Sequence, residues 1–158
     1  MKTILLMPII WFFFTCNNYP SNKIKFDDAT LKGVWKISCE EGSGFMKYIN
    51  KDSILIEANS NQIYILAKAE YSIKKDTLIG KIFLTEPDDL GAGGMSLNWD
   101  NYSTTKEIAE FRMFDSKIIE LRWLGFFNEK SKEREWVEKI DWLVNPNQNN
   151  PICLQKCK

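Results

Sequence analysis

Four cysteines, no histidine and a scatter of carboxylates define the chemistry open to this chain. Histidine is the usual proton acceptor near neutral pH, the activator of serine and cysteine nucleophiles, and the commonest metal ligand. Without it, carboxylates are left to move protons, so a carboxylate-dependent hydrolase is the enzyme class kept open behind a non-enzymatic reading. Glu86, Asp88, Asp89 and Asp100 fall in one stretch, but their spacing is not that of a calcium-binding EF-hand loop. Cys153 and Cys157 lack the histidine or second cysteine pair that a zinc centre needs. The run Gly91-Ala92-Gly93-Gly94 is not the phosphate-binding GxGxxG pattern, and no strand–helix unit surrounds it. No metal and no cofactor are expected.

Two stretches are better suited to binding than to catalysis. Residues 86–103 are long for a connection in a small domain, and such loops are usually functional or irregular. Met95, Leu97, Trp99 and Tyr102 give this one apolar and aromatic contact groups; the plainer reading is a rim loop without a partner. Glu40-Glu41-Gly42-Ser43-Gly44 is a second permissive loop, with Ser43 and Phe45 as its candidate contacts and a simple hairpin turn as the plainer reading. Asn101-Tyr102-Ser103 is a glycosylation sequon, meaningful only in a eukaryotic source.

The amino terminus sets the compartment. Lys2 precedes an apolar run from Ile4 to Phe14 that stops at Thr15-Cys16. This is short of the roughly 20 residues that span a bilayer, and it has the layout of an export signal over residues 1–15. The junction Phe13-Phe14-Thr15-Cys16 resembles a bacterial lipobox, although that family favours Leu at the Phe13 position and Gly or Ala at the Thr15 position. The resemblance implies that Cys16 is lipid-modified and becomes the mature amino terminus, held to a membrane of the cell envelope. Polar residues 16–30 then form a tether. Ordinary cleavage with an unmodified Cys16, and an uncleaved anchor, are the alternatives. Lipidation would leave Cys39, Cys153 and Cys157, and export favours disulfides. The preferred bond joins Cys39 to Cys153 or Cys157; a short Cys153–Cys157 link is the other arrangement.

Stepping from these residues to what must hold them, the pattern is strand and turn almost throughout. Lys and Arg balance Asp and Glu at 21 each, for a net charge of +0, which argues against nucleic acid, whose affinity rests on neutralising phosphates. Residues 63–74 alternate strictly, with Ile63, Ile65, Ala67, Ala69, Tyr71 and Ile73 on one face and Lys68, Glu70, Ser72 and Lys74 on the other, as in a strand with one buried face. Further strands are read at 33–40, 45–50, 53–58, 78–85, 107–114, 117–127 and 134–144. The last also fits helical spacing through Trp136, Ile140 and Leu143, but Trp136 and Trp142 share one alternating face and favour a strand. Gly80 is read as a bend where a barrel curves. The expected fold is all-β: a single antiparallel meander over residues 31–145, closed or nearly closed into a small barrel, with a β-sandwich as the alternative. Residues 146–158 are read as a tail.

Gly33-Val34-Trp35 resembles the G-x-W element that opens the first strand of lipocalin-like barrels. In that family the tryptophan plugs the closed end beneath an arginine from a late strand, a part that falls here to Arg122 or Arg112. The resemblance implies a calyx able to hold a small apolar ligand. Gly42-Ser43-Gly44 resembles the serine–glycine loop of periplasmic C-type lysozyme inhibitors, which implies a grip on another protein. The expected function is therefore a non-enzymatic envelope lipoprotein that binds a small apolar ligand or an envelope protein through its barrel and rim loops. A periplasmic inhibitor or immunity protein neutralising a hydrolase or toxin is the protein-binding form.

Overall fold

The computed structural model describes residues 26–40, 44–50, 52–58, 63–85, 98–135 and 151–158. Eight strands form one closed barrel: β1 (Gly33–Lys36), β2 (Phe45–Tyr48), β3 (Ser53–Ala58), β4 (Ile63–Lys74), β5 (Thr77–Leu84), β6 (Glu107–Met113), β7 (Ile118–Trp123) and β10 (Ile152–Cys157). A two-stranded ribbon, β8 (Phe126–Phe127) and β9 (Arg134–Glu135), sits between β7 and β10 in the chain. Around the barrel each strand pairs antiparallel with its neighbours in chain order, and β10 joins β7 to β1. This is the expected meander, closed on itself, and a sandwich is excluded.

Alternation explains the wall. In β5, Leu78, Ile82 and Leu84 point inward and are buried, while Ile79 and Lys81 face outward. Period-two patterning leaves one face for the core and one for water. A register shift at Ile82/Phe83 puts one extra residue into β6, so Ile108 and Ala109 are both buried. Gly80 is inward for a steric reason: a Cβ there would stand 2.4 Å from the Phe111 ring, which lies over it. The interior is packed. Of the side chains that point inward, Met46, Ile54, Phe111, Leu121 and Leu154 are each no more than 2% exposed. Eight strands enclose a space that side chains alone can fill.

Several expectations need correcting. The strand that closes the barrel is Ile152–Cys157, inside the stretch read as a tail. Its alternation was obscured because one inward position carries a lysine, Lys156, opposite Trp35. The strand read at 117–127 ends at Trp123; Gly125, with φ of 78°, turns the chain into the ribbon. Of the strand read at 134–144 only Arg134–Glu135 is described, and residues 136–144 lie outside the described residues. The first strand ends at Lys36 rather than at 40.

The stretch read as tether is structured from Phe26 onward. A four-residue helix, α1 (Asp28–Leu31), is capped by Asp27, whose carboxylate accepts from the Thr30 amide at 2.9 Å while the Thr30 hydroxyl accepts from the Asp27 amide at 3.0 Å. Such reciprocal capping satisfies donors that a helix start otherwise leaves bare. A disulfide joins Cys39 to Cys157, with Cα atoms 5.5 Å apart across a sequence separation of 118. Cys157 pairs with Val34, so the chain beyond β1 turns back along the outside of the wall to reach it. Cys153 is also in the disulfide-bonded state.

Candidate functional site

The strand order assigns every connection to one of two ends. At one end are α1 and the turns at 49–52, 75–76 and 114–117; from the other leave the connections at 37–44, 59–62, 85–106 and 124–151. The first end is closed and the second is the mouth.

The closed end is built around Trp35, which has no exposed surface. Its indole Nε1 donates to the Leu31 carbonyl at 2.8 Å. Lys156 Nζ donates to the Thr30 carbonyl at 2.8 Å and lies 5.4 Å from the centre of the Trp35 ring. Two carbonyls that α1 would otherwise leave unpaired at its carboxyl end are thus satisfied by a plug and its covering cation. Burial holds the Lys156 ammonium below its ordinary pKa, partly offset by the charge of Asp27. Gly33 makes the arrangement possible. Its φ is 134°, and a Cβ there would meet Lys156 Cε at 3.0 Å, so the glycine leaves the path for the lysine stem. Trp35 stands at the closed end, where the resemblance to the G-x-W element implied a plug, but the cation over its ring is Lys156 and not Arg122. Arg122 lies on the outer wall, exposed, with Glu110 at 3.7 Å. Arg112 is also on the outer wall, paired with Glu120. Residues at alternating positions of one strand face opposite ways, and both arginines occupy outward ones.

The mouth carries an aromatic cluster. Phe126, fully buried, is 5.4 Å from Trp99, 5.3 Å from Tyr102 and 5.4 Å from Trp123, ring centre to ring centre. Trp99 begins a single 3-10 turn, and Tyr102 bridges to Asn128 at the ribbon. The Tyr102 hydroxyl donates to Glu135 at 2.7 Å, and the Asn128 amide donates to the other oxygen of that carboxylate at 2.6 Å. Burial, then the Glu135 bond and charge, push the Tyr102 pKa up to about 12. Arg134 ties the ribbon back to the barrel through the Glu107 and Gly125 carbonyls at 2.7 and 3.2 Å. In contrast to the Trp35 indole, the indole N–H groups of Trp99 and Trp123 are buried without an acceptor among the described residues. The hydroxyl of Tyr48, which pairs with Gly33 on the closed-end side of β2, is likewise buried without a partner among the described residues, and burial pushes its pKa well above the usual tyrosine value.

Of the residues expected to bind, Trp99 and Tyr102 stand together in this cluster. Phe45 is half-buried on β2, at a position alternating with inward Met46 and Tyr48, and so faces out of the barrel. Ser43 and Met95 lie outside the described residues, as do Gly91, Gly93, Gly94 and Leu97. Trp123, Phe126 and Glu135 were missed as site residues. The run of aromatics from Trp99 to Phe127 was visible, but a core and a mouth cluster look alike in sequence. Cys16 also lies outside the described residues.

The outer wall of β5–β7 holds a groove of about 390 Å³ lined by Lys81, Glu110, Arg112, Glu120 and Arg122. Its carboxylates are matched by cations: Glu110 by Arg122 and Glu120 by Arg112. At its edge Glu107 is met by Lys81 and Arg134. Among the described residues no cluster of His, Cys, Asp or Glu is arranged to hold a metal ion, and no helix is long and apolar enough to cross a membrane. No family model matches the sequence, and no curated protein or solved structure matches it.

Proposed function

We propose that this chain is a non-enzymatic lipoprotein of the bacterial cell envelope, exported, held by acyl chains on Cys16, and binding a protein partner through the connections at the mouth of its barrel. The observation that carries this reading is the inequality of the two ends. Tight turns and a sealed plug occupy one, whereas the longer connections leave the strands at the other, where an aromatic cluster buries donors that have no acceptor among the described residues. The packed interior favours a protein on the rim over a small apolar ligand inside the barrel. The Cys39–Cys157 bond supports an oxidising compartment outside the cytoplasm. A periplasmic inhibitor or immunity protein is the form of partner-binding that suits a small rigid barrel with long loops.

The test is capture from an envelope extract by the immobilised protein, followed by mass spectrometry. A partner recovered by the native protein, lost when residues 86–97 are exchanged for a Gly-Ser linker of equal length, and kept in Lys117→Ser at the closed end is expected. Stoichiometric lipid in the purified protein with no protein partner would move the reading to ligand carriage. Cys153 is disulfide-bonded in the structure, and an acylated Cys16 could not be its partner. Intact mass therefore tests the anchor separately: acyl chains on Cys16 with Cys153 as a thiol are expected, and an unacylated chain with Cys16 oxidised to Cys153 would remove it.

A further inference from the structure

The closed end is not a featureless base. Ile49, Ile73 and Phe114 are 48%, 49% and 49% exposed, and they stand at three different turns of this one end. Ile49 follows β2, Ile73 is the penultimate residue of β4, and Phe114 follows β6. Large apolar side chains held half in water at hairpin tips serve no purpose in the core. The chain also enters the barrel here, through Phe26 and α1. From Cys16 to Phe26 there are ten peptide links, which reach at most about 35 Å.

We propose that the closed end rests on a lipid bilayer, with Ile49, Ile73 and Phe114 entering the headgroup region, so that the mouth faces away from the membrane. The inference rests on the lipid-anchor reading of Cys16 and deepens it by fixing an orientation. Lys74, Lys75 and Lys117 at these tips stand beside Asp76 and Asp115, with Lys51 and Asp52 at the remaining turn, so four cations against three carboxylates supply little net attraction. Contact comes from the apolar tips together with the tether. Acyl anchoring is weak with one chain and becomes stable with a second signal, which buried apolar area can supply. Arg112 supports Phe114: its guanidinium lies 5.2 Å from the ring centre, an aromatic–cation pair suited to an interface that is apolar on one side and wet on the other.

The test uses the purified full mature protein in vesicles of phosphatidylethanolamine and phosphatidylglycerol whose acyl chains are brominated, with tryptophan emission as the readout. Ile49→Trp, Ile73→Trp and Phe114→Trp report from the closed end. Thr104→Trp reports from the mouth, where Thr104 is exposed in the connection that leads into β6. The added emission is expected to be quenched in the three closed-end variants and retained in Thr104→Trp. Retained emission in all four, quenching in all four, or quenching in Thr104→Trp alone would overturn the orientation while intact mass still records the acyl chains. A protein lacking acyl chains would overturn the anchor, and this orientation with it.

Discussion

The two ends of this barrel are sealed by similar residues and finished differently. Each has a buried tryptophan, Trp35 at one and Trp123 at the other. At the closed end every polar atom of the plug is used: the Trp35 indole and the Lys156 ammonium each meet a carbonyl of α1. At the mouth, the indoles of Trp99 and Trp123 are buried and unpaired. A buried donor without a partner costs about 1–3 kcal/mol. The lesson is that the Trp35 plug is finished for stability, whereas the indoles at the mouth carry a cost that the fold alone does not explain.

The comparison can be broken most severely at the closed end. Trp35→Ala is expected to destabilise by about 3–5 kcal/mol, as large-to-small changes at fully buried aromatics do, measured by urea unfolding. Half-buried Trp99→Ala at the mouth should lose clearly less. Removing the Cys39–Cys157 bond with paired serine substitutions is expected to lose up to about 4.7 kcal/mol, the chain-entropy value for a loop near 100 residues. Because this bond holds the first mouth connection against the closing strand, partner capture should weaken along with stability.

A finer contrast comes from replacing tryptophan by phenylalanine at each end. Trp35→Phe strands the Leu31 carbonyl, whereas Trp123→Phe deletes a donor that has no acceptor. Loss of ring volume is common to both. The closed-end variant should therefore be the less stable by about 1–3 kcal/mol, and equal losses would mean that the two ends are not finished differently after all.

The covering cation separates in the same way. Lys156→Met should lower the unfolding midpoint, while Arg122→Met should change stability by less than about 1 kcal/mol, since its ion pair is exposed. Only the first should alter the fluorescence of Trp35.

The smallest effect expected near neutrality is at Tyr48. Tyr48→Phe removes an unpaired hydroxyl and should leave neutral stability nearly unchanged. In alkali the sign is clear. Tyr48 and Tyr102 have folded pKa values raised above the unfolded one, so their contribution is intact below about pH 10 and is lost as pH rises beyond it. Lys156 is shifted down, so its contribution runs the other way and improves as pH climbs toward its ordinary value. Tyr48→Phe should accordingly resist alkaline unfolding better than the native protein, followed by circular dichroism against pH.

Much of this architecture was legible in the sequence because period-two alternation is physically unambiguous when one face is buried. Ser53–Ala58 and Ile63–Lys74 were read to the residue. Gly33 and Trp35 were legible only through their resemblance to the G-x-W element, and the structure supplies the physical reason: the indole stands two residues beyond a backbone position that must stay bare. What failed was any place where a polar group is buried by pairing at long range. Lys156 lies in the barrel only because Thr30, distant by 126 residues, offers its carbonyl, and that inward lysine hid the closing strand. Arg122 was preferred over it because sequence patterning alone did not reveal which cation the closing register would put over Trp35. The mouth cluster was visible as aromatics but not as a site, since nothing local distinguishes a ring in a core from one at a rim.

The central claim, that the protein partner is gripped at the mouth and not at the closed end, is tested most directly by amide hydrogen exchange on the barrel with and without its captured protein partner. Slowed exchange at residues 98–106 and 124–135, with the turns at 49–52 and 114–117 unchanged, is the expected footprint. Protection at those turns with the mouth unaffected would contradict the account.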